Sequence, residues 1–364
     1  MSAVSLETDA AARERPTLRV MTSRRVAIVL FNLGGPDSLK SVQPFLFNLF
    51  SDPAIIDLPQ PLRYFLAQLL SRSRAKTASA NYAKLGGSSP LAAETIKQAE
   101  ALEAEISKRI ANVTFKCFPA MRYWRPLVKE AAKAAETWGA TDAILLPLYP
   151  QYSTTTTRSS LAAWKRASDL PASTICCYPA GQSFAQAHAD AILDAWRRGG
   201  SPEKPRVLFS AHGLPQSIVQ RGDPYQWQVE RSAGAVRRLL PADWDCRICY
   251  QSRVGPLKWI GPSTEEELHK AAKDKAGVVV SPIAFVSEHV ETLVELDIEY
   301  AQLAKRLDLP FYLRAGALGA SSRFIEALAD LAGWALEAPG RVQSETGDRL
   351  CPQAFGLCAQ GSKR

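Results

Sequence analysis

The strongest constraint on the fold of this chain is a rhythm. Short runs rich in β-branched and aliphatic residues recur, each followed by a loop and a helical pattern. The first four are Val26–Phe31 (VAIVLF), Val113–Phe118, Ala143–Leu148 and Ser173–Tyr178. After a helical stretch around Phe184–Arg198 come Val207–Ser210, Arg247–Gln251, Gly277–Ser281 and Pro310–Leu313. Strands separated by helices form βαβ units and a mainly parallel sheet. Four and four predicts an α/β protein of two similar doubly wound lobes. Each has a four-stranded parallel sheet flanked by helices, with an active-site cleft between the lobes. The expected divisions are a mobile N-terminal tail (1–24), two lobes (25–180 and 181–338) and a C-terminal tail (339–364) that is flexible or pairs two subunits. At 364 residues, 46% hydrophobic, the chain can build both cores.

Composition narrows the function. The net charge of +8 favours anionic partners. The basic residues are dispersed rather than interleaved with aromatics along one element, so no nucleic-acid partner is expected. No apolar run approaches the roughly 18 residues of a membrane span. The N-terminal stretch carries Glu7, Asp9 and Glu14 and lacks an apolar core, unlike a secretory signal. Seven scattered cysteines point to a reducing compartment, hence a cytoplasmic protein. Phosphate-loop, H-E-x-x-H and strand-linked G-x-G-x-x-G motifs are missing.

Parallel sheets bind ligands beyond the carboxyl ends of their strands. Loops there are loaded with Gly, Pro, aromatic and His residues: Asn32–Pro36, Met121–Pro126, Tyr149–Thr157, Ser210–Pro215 and Pro282–His289. The sharpest local signal is Ser287–Tyr300 (SEHVETLVELDIEY). Read as an α-helix with Ser287 as N-cap, it sets Glu288, Glu291, Glu295 and Glu299 within an arc of about 80°. The i,i+4 like-charge pairs each cost roughly 0.2–0.5 kcal/mol with no basic residue on that face, which argues for a cation or a line of protons over a merely solvated stripe. His212, at the end of a hydrophobic strand, is placed to act as a base near neutral pH, with His289 at a similar position. His188 and His269, in helical and polar contexts, receive no role. Cys246 and Cys249 lie three apart on a strand, pointing to opposite faces, and read as core rather than a metal clamp. The apolar stretch Ser38–Leu58 reads equally as core or as a greasy lip that receives a flat apolar ligand or touches a membrane.

These segments, taken in order, resemble the ferrochelatases: NLGGPDS, GGSSPL, RYWRP, LPLYPQYSTTTT, SAHGLP with RGDPY, YQSRVGPLKWIGPST and PIAFVSEHVETLVELDIEY, spanning about Val26 to Leu336. The resemblance implies insertion of Fe2+ into protoporphyrin IX. It assigns His212 to pyrrole proton abstraction or metal binding and Glu291 to the opposite face of the porphyrin. Glu295, Glu299 and Asp297 would relay metal or protons. Leu33, Arg122, Tyr123 and Tyr149 would line the porphyrin pocket, with Ser153 just beyond. It leaves open coproporphyrin or cobalt as alternatives, a non-catalytic porphyrin carrier, monomer or homodimer, and peripheral contact with the inner membrane face. Some members carry an iron–sulfur cluster using a cysteine in the loop after YPQYS and three near the C-terminus. Here Thr154 occupies the loop position and the tail offers Cys351 and Cys358, with Gln360 where a third is expected. No cluster and no permanently bound cofactor are predicted.

Overall fold

A computed structural model describes residues 24–253, 255 and 257–361. The expected N-terminal tail thus lies outside the described residues except for Arg24, which opens the first strand. The strands are β1 (Arg24–Asn32), β2 (Val113–Met121), β3 (Asp142–Pro147), β4 (Ala172–Cys177), β5 (Arg206–His212), β6 (Asp245–Gln251), β7 (Val278–Pro282), β8 (Tyr312–Arg314) and β9 (Val342–Ser344). They form two sheets ordered β2-β1-β3-β4-β9 and β6-β5-β7-β8, with every neighbouring pair parallel.

The continuous hydrophobicity of β1 follows from burial on both faces, the rule for parallel sheets with helices on each side. Residues alternate between faces. Val26, Ile28 and Leu30 pack with Leu102, Ile106 and the helix Ser322–Glu337, while Ala27, Val29 and Phe31 meet the helix Val128–Trp138 and Trp164. In the second sheet Val207, Phe209 and Ala211 face the helices Gln182–Arg198 and Tyr225–Arg237. Leu208 faces the opposite layer with Leu268 and Leu296. Truncating one of the buried leucines or isoleucines, Ile28→Ala for instance, costs about 2–5 kcal/mol.

Two expectations need correcting. The first sheet has five strands, because β9, from the expected C-terminal tail, pairs with β4. The helix Ser322–Glu337, assigned by its position to the second lobe, packs on the first: Phe324, Leu328 and Ala332 join Ile28 and Leu30 in one core. Helical periodicity reveals an apolar face but not which sheet receives it. The helix Gln182–Arg198 belongs to both lobes, sending Phe184 and Ala187 into one core and Ala185, Ala189 and Ile192 into the other. Strand order reverses around β1/β3 and around β5/β7. In open α/β sheets such switch points are where ligands bind, outside the carboxyl ends of the strands.

Candidate active site

On the second lobe, β5 ends at His212. Its Nδ1 lies 2.6 Å from the carbonyl oxygen of Gly213. A carbonyl only accepts, so Nδ1 carries a proton, and in the neutral ring Nε2 presents a lone pair. That nitrogen is 3.7 Å from Oε2 of Glu291, and Nε2 of the buried His289 is 3.7 Å from the same oxygen. The Thr292 hydroxyl donates to Glu288 (2.6 Å), so it accepts from the backbone N–H of His289. Burial lowers the His289 pKa against the pull of Glu291 and Glu288.

The spacing overturns one expectation. A flat ring needs about 3.5–4 Å on each face, so no porphyrin fits between His212 and Glu291. The approach is possible because the π-helix Glu291–Tyr300 runs straight off the loop that follows β7. This loop is pinned from the first lobe by buried Gln98, which donates to the carbonyls of Val286 and Gly319 and accepts from Ser287. Ser287 therefore does not cap a helix, and the regular turns begin later than the sequence indicates.

The π-helix is wound with i→i+5 bonds, a loose form common at functional sites. Glu291, Glu295 and Glu299 follow one another along it towards solvent. Glu295 accepts from Gln251 (2.9 Å) and Ser252 (2.7 Å). Burial and the Glu291 charge push its pKa up to about 7. Glu299 is half exposed and 3.6 Å from Lys84. A cavity of about 440 Å³ is lined by Glu295, Glu299, Glu265 and His269 among others; His269, given no role from the sequence, thus shares a cavity with two of the acids. Asp297 departs from that row. Arg314 binds it, and also holds Glu288 at 2.8 Å, so Asp297 anchors the helix to β8.

The first lobe supplies a wall of different character. Gly34 (φ +84°) lets the loop after β1 pass beneath the loop after β2: a Cβ there would meet Met121 and the Trp124 backbone at 3.0 Å. The contact aligns Arg122 and Tyr123, whose N–H groups donate to the carbonyls of Asn32 and Leu33. Buried Asp52 then collects Arg122 Nη2 (2.7 Å), the Tyr123 hydroxyl (2.8 Å) and the Ser159 hydroxyl. Arg122 also donates to Ser159 (2.7 Å). Leu33 and Tyr149 are partly exposed. Tyr123 and Ser153 are not: the first is fully buried against Asp52, and Ser153 donates to Asp223 at 3.0 Å. These two side chains support the wall instead of facing open space. Asp52, Gln251, Ser252 and Arg314 escaped notice in the sequence because each sits in an ordinary context and acquires importance only through partners distant in the chain.

The stretch Ser38–Leu58 proves to be both core and lip. Val42, Phe45 and Leu46 are buried, while Leu39, Ile55 and Leu58 are exposed together with Leu62, Phe65 and Leu69 of the next helix. Among the described residues no helix is long and apolar enough to cross a membrane. His188 is fully buried against Phe184, contrary to the polar context expected for it.

Two cysteines of β4 lie beneath the C-terminal segment that carries Cys351 and Cys358. Cys176 and Cys177 lie under Ala359, their sulfurs 3.5 Å apart, and Gln228 donates to Cys351 at 3.1 Å. Thr154 donates to Asp223 (2.7 Å) and Gln360 to the Val342 carbonyl (2.8 Å). No group of three or more His, Cys, Asp or Glu among the described residues is arranged to hold a metal ion. Two of the positions that the resemblance relates to a cluster thus carry Thr154 and Gln360 instead of cysteine.

Comparison with known proteins adds the following. The family model described as Ferrochelatase matches residues 25–335. The chain is 56% identical over 337 residues to the ferrochelatase of Phenylobacterium zucineum, covering 92% of this chain and 98% of that protein. It is 53% identical over 342 residues to that of Caulobacter vibrioides, covering 92% and 97%. A multi-domain protein of Deinococcus radiodurans, described as structurally similar to chelatases, superposes with a TM-score of 0.50 at 15% identity, over 89% of this chain and 57% of that one. That last likeness is one of fold.

Proposed function

Because this chain belongs to the ferrochelatase family, we propose that it catalyses insertion of ferrous iron into protoporphyrin IX, with release of two pyrrole protons. The observation that carries the reading is the bare Nε2 of His212 set 3.7 Å from Glu291 at the switch point of the second sheet, with Glu295 and Glu299 continuing from it towards solvent.

Metal insertion requires two N–H protons to leave while a dication arrives. The lone pair of His212 is the acceptor for the pyrrole protons. Glu291, Glu295 and Glu299 attract the cation and pass metal or protons along the helix. His212 and Glu291 address the macrocycle from one side, and the first-lobe wall grips it with Leu33, Tyr149 and Arg122. Tyr123 and Ser153 act through the hydrogen bonds that hold that wall in place. Catalysis needs neither an iron–sulfur cluster nor another resident cofactor.

The protein works in the cytoplasm and meets the inner membrane face through its exposed lip, a role supported by the apolar stripe of Leu62, Phe65 and Leu69 and the net charge of +8. The experiment is an anaerobic assay with ferrous iron and protoporphyrin or coproporphyrin side by side. Catalytic loss of protoporphyrin fluorescence is expected. A change limited to one equivalent per chain would mean a carrier, and turnover restricted to coproporphyrin would reassign the substrate.

A further inference from the structure

We infer that a second cavity, which shares Arg122 and Asp52 with the first-lobe wall, binds the phosphate group of a phosphate monoester. It measures about 550 Å³ and is lined by Asn48, Ser51, Asp52, Arg122, Lys129 and Arg166 together with short apolar side chains. No residue of the second lobe lines it, so neither His212 nor Glu291 belongs to it. It is a site apart from the metal insertion proposed for the cleft.

Unmatched charge marks this cavity. Three cations, Arg122, Lys129 and Arg166, line it against a single acid. That acid, Asp52, is already taken by Arg122, Tyr123 and Ser159. Glu130, next to Lys129 in the chain, is held by Arg125 (3.0 Å) and the Leu127 N–H (2.8 Å). Lys129 and Arg166 are exposed and form no ion pair among the described residues. Arg122 directs Nε to Ser159 (2.7 Å) and Nη2 to Asp52 (2.7 Å), and its Nη1 has no partner among the described residues. Like charges gathered without a counter-charge repel, and an entering anion relieves that repulsion. The helix Val128–Trp138 starts on the same lining, where its first N–H groups lack intrahelical partners and its dipole adds positive potential. Ser51, also on the lining, carries a buried hydroxyl without a partner.

A single carboxylate would leave two of the three cations unmatched, whereas a phosphate monoester carries about −2 at neutral pH and offers three acceptor oxygens. Guanidinium groups bind such oxygens in pairs. A lone phosphate would fill only part of the space, and Pro53, Leu127, Ala163 and Ala167 provide apolar surface for the organic portion. Asn48, Ser51 and Pro53 belong to the stretch whose Ile55 and Leu58 form the exposed lip. The same chemistry therefore has two sources: a soluble phosphate ester, or the headgroup of a lipid such as phosphatidic acid reached from the lip.

Two measurements on the full-length protein separate these sources: calorimetry with glycerol phosphate, and sedimentation with phosphatidylcholine vesicles that contain phosphatidic acid. The double variant Lys129→Ala/Arg166→Ala should weaken the binding by about tenfold or more, with iron insertion and the melting temperature of the free protein unchanged. As a control, Arg198→Ala/Lys204→Ala removes equal charge from the exposed surface of the second lobe and should bind like the parent. Saturable one-to-one binding of glycerol phosphate, not seen with glycerol, identifies a soluble ester. Binding to the vesicles alone, lost in the first double variant and kept in the control, identifies a headgroup. The inference is overturned if neither probe binds, or if the two double variants lose binding equally.

Discussion

The two walls of the cleft hold polar groups in opposite ways. On the first lobe, Asp52 is saturated: Arg122, Tyr123 and Ser159 all bind it within ordinary or shorter hydrogen-bond distance. On the second lobe, His212 and His289 each stand 3.7 Å from Glu291, beyond hydrogen-bond reach. A saturated network is rigid and suits holding a ligand in one place. An unsaturated one keeps lone pairs free for a proton or a metal. The difference implies that damage to the first wall is read as lost stability and damage to the second as lost turnover.

The largest effect should come from the second wall. His212→Ala or Glu291→Gln should each lower iron insertion by about 100-fold or more, while melting temperature changes little. Equal activity of Glu291→Gln and the parent would remove the acidic face from the chemistry. Next is Asp52→Ala, which strands a part-buried guanidinium and two hydroxyls. It should cost about 3–5 kcal/mol in urea unfolding, the range for breaking a buried ion pair. If it unfolds like the parent yet loses turnover, the contrast between the walls fails.

Glu295 sharpens the comparison through pH. Its folded pKa of about 7 lies above the ordinary glutamate value of 4.5. The folded state therefore binds more protons than the unfolded state between those values. This group's contribution to stability falls as pH rises from about 4.5 to 7 and stays low above that. Glu295→Gln should flatten part of this slope; Glu345, also raised to about 7 by burial, retains the remainder. A steeper slope in the variant would contradict the assignment. The smallest effect is Ser252→Ala, which removes one donor to Glu295. It should cost about 1 kcal/mol and shift the Glu295 titration upward, measurable by NMR of the side-chain carboxyl.

Much of the fold was readable in one dimension because parallel strands buried on both faces must be continuously apolar, as Val26–Phe31 is. The candidate chemistry was readable at His212 and along Glu291, Glu295 and Glu299, where residue type departs from what a strand end or a surface helix needs. Asp297 misled because its spacing suits the row of acids while its partner, Arg314, lies on β8. The facing of His212 and Glu291 across a ligand was inferred from family likeness alone, and contact distance removed it.

By itself, then, the sequence determined the alternation of strand and helix, the two-lobe α/β class and the strand ends where function collects, since these depend on local pattern and burial. Only the tertiary structure decided that the C-terminal segment completes the first sheet, that Asp52 organises one wall, and that an imidazole and a carboxylate share one side of the cleft. Those outcomes depend on which distant surfaces meet, and hydrophobic periodicity is blind to the identity of the partner.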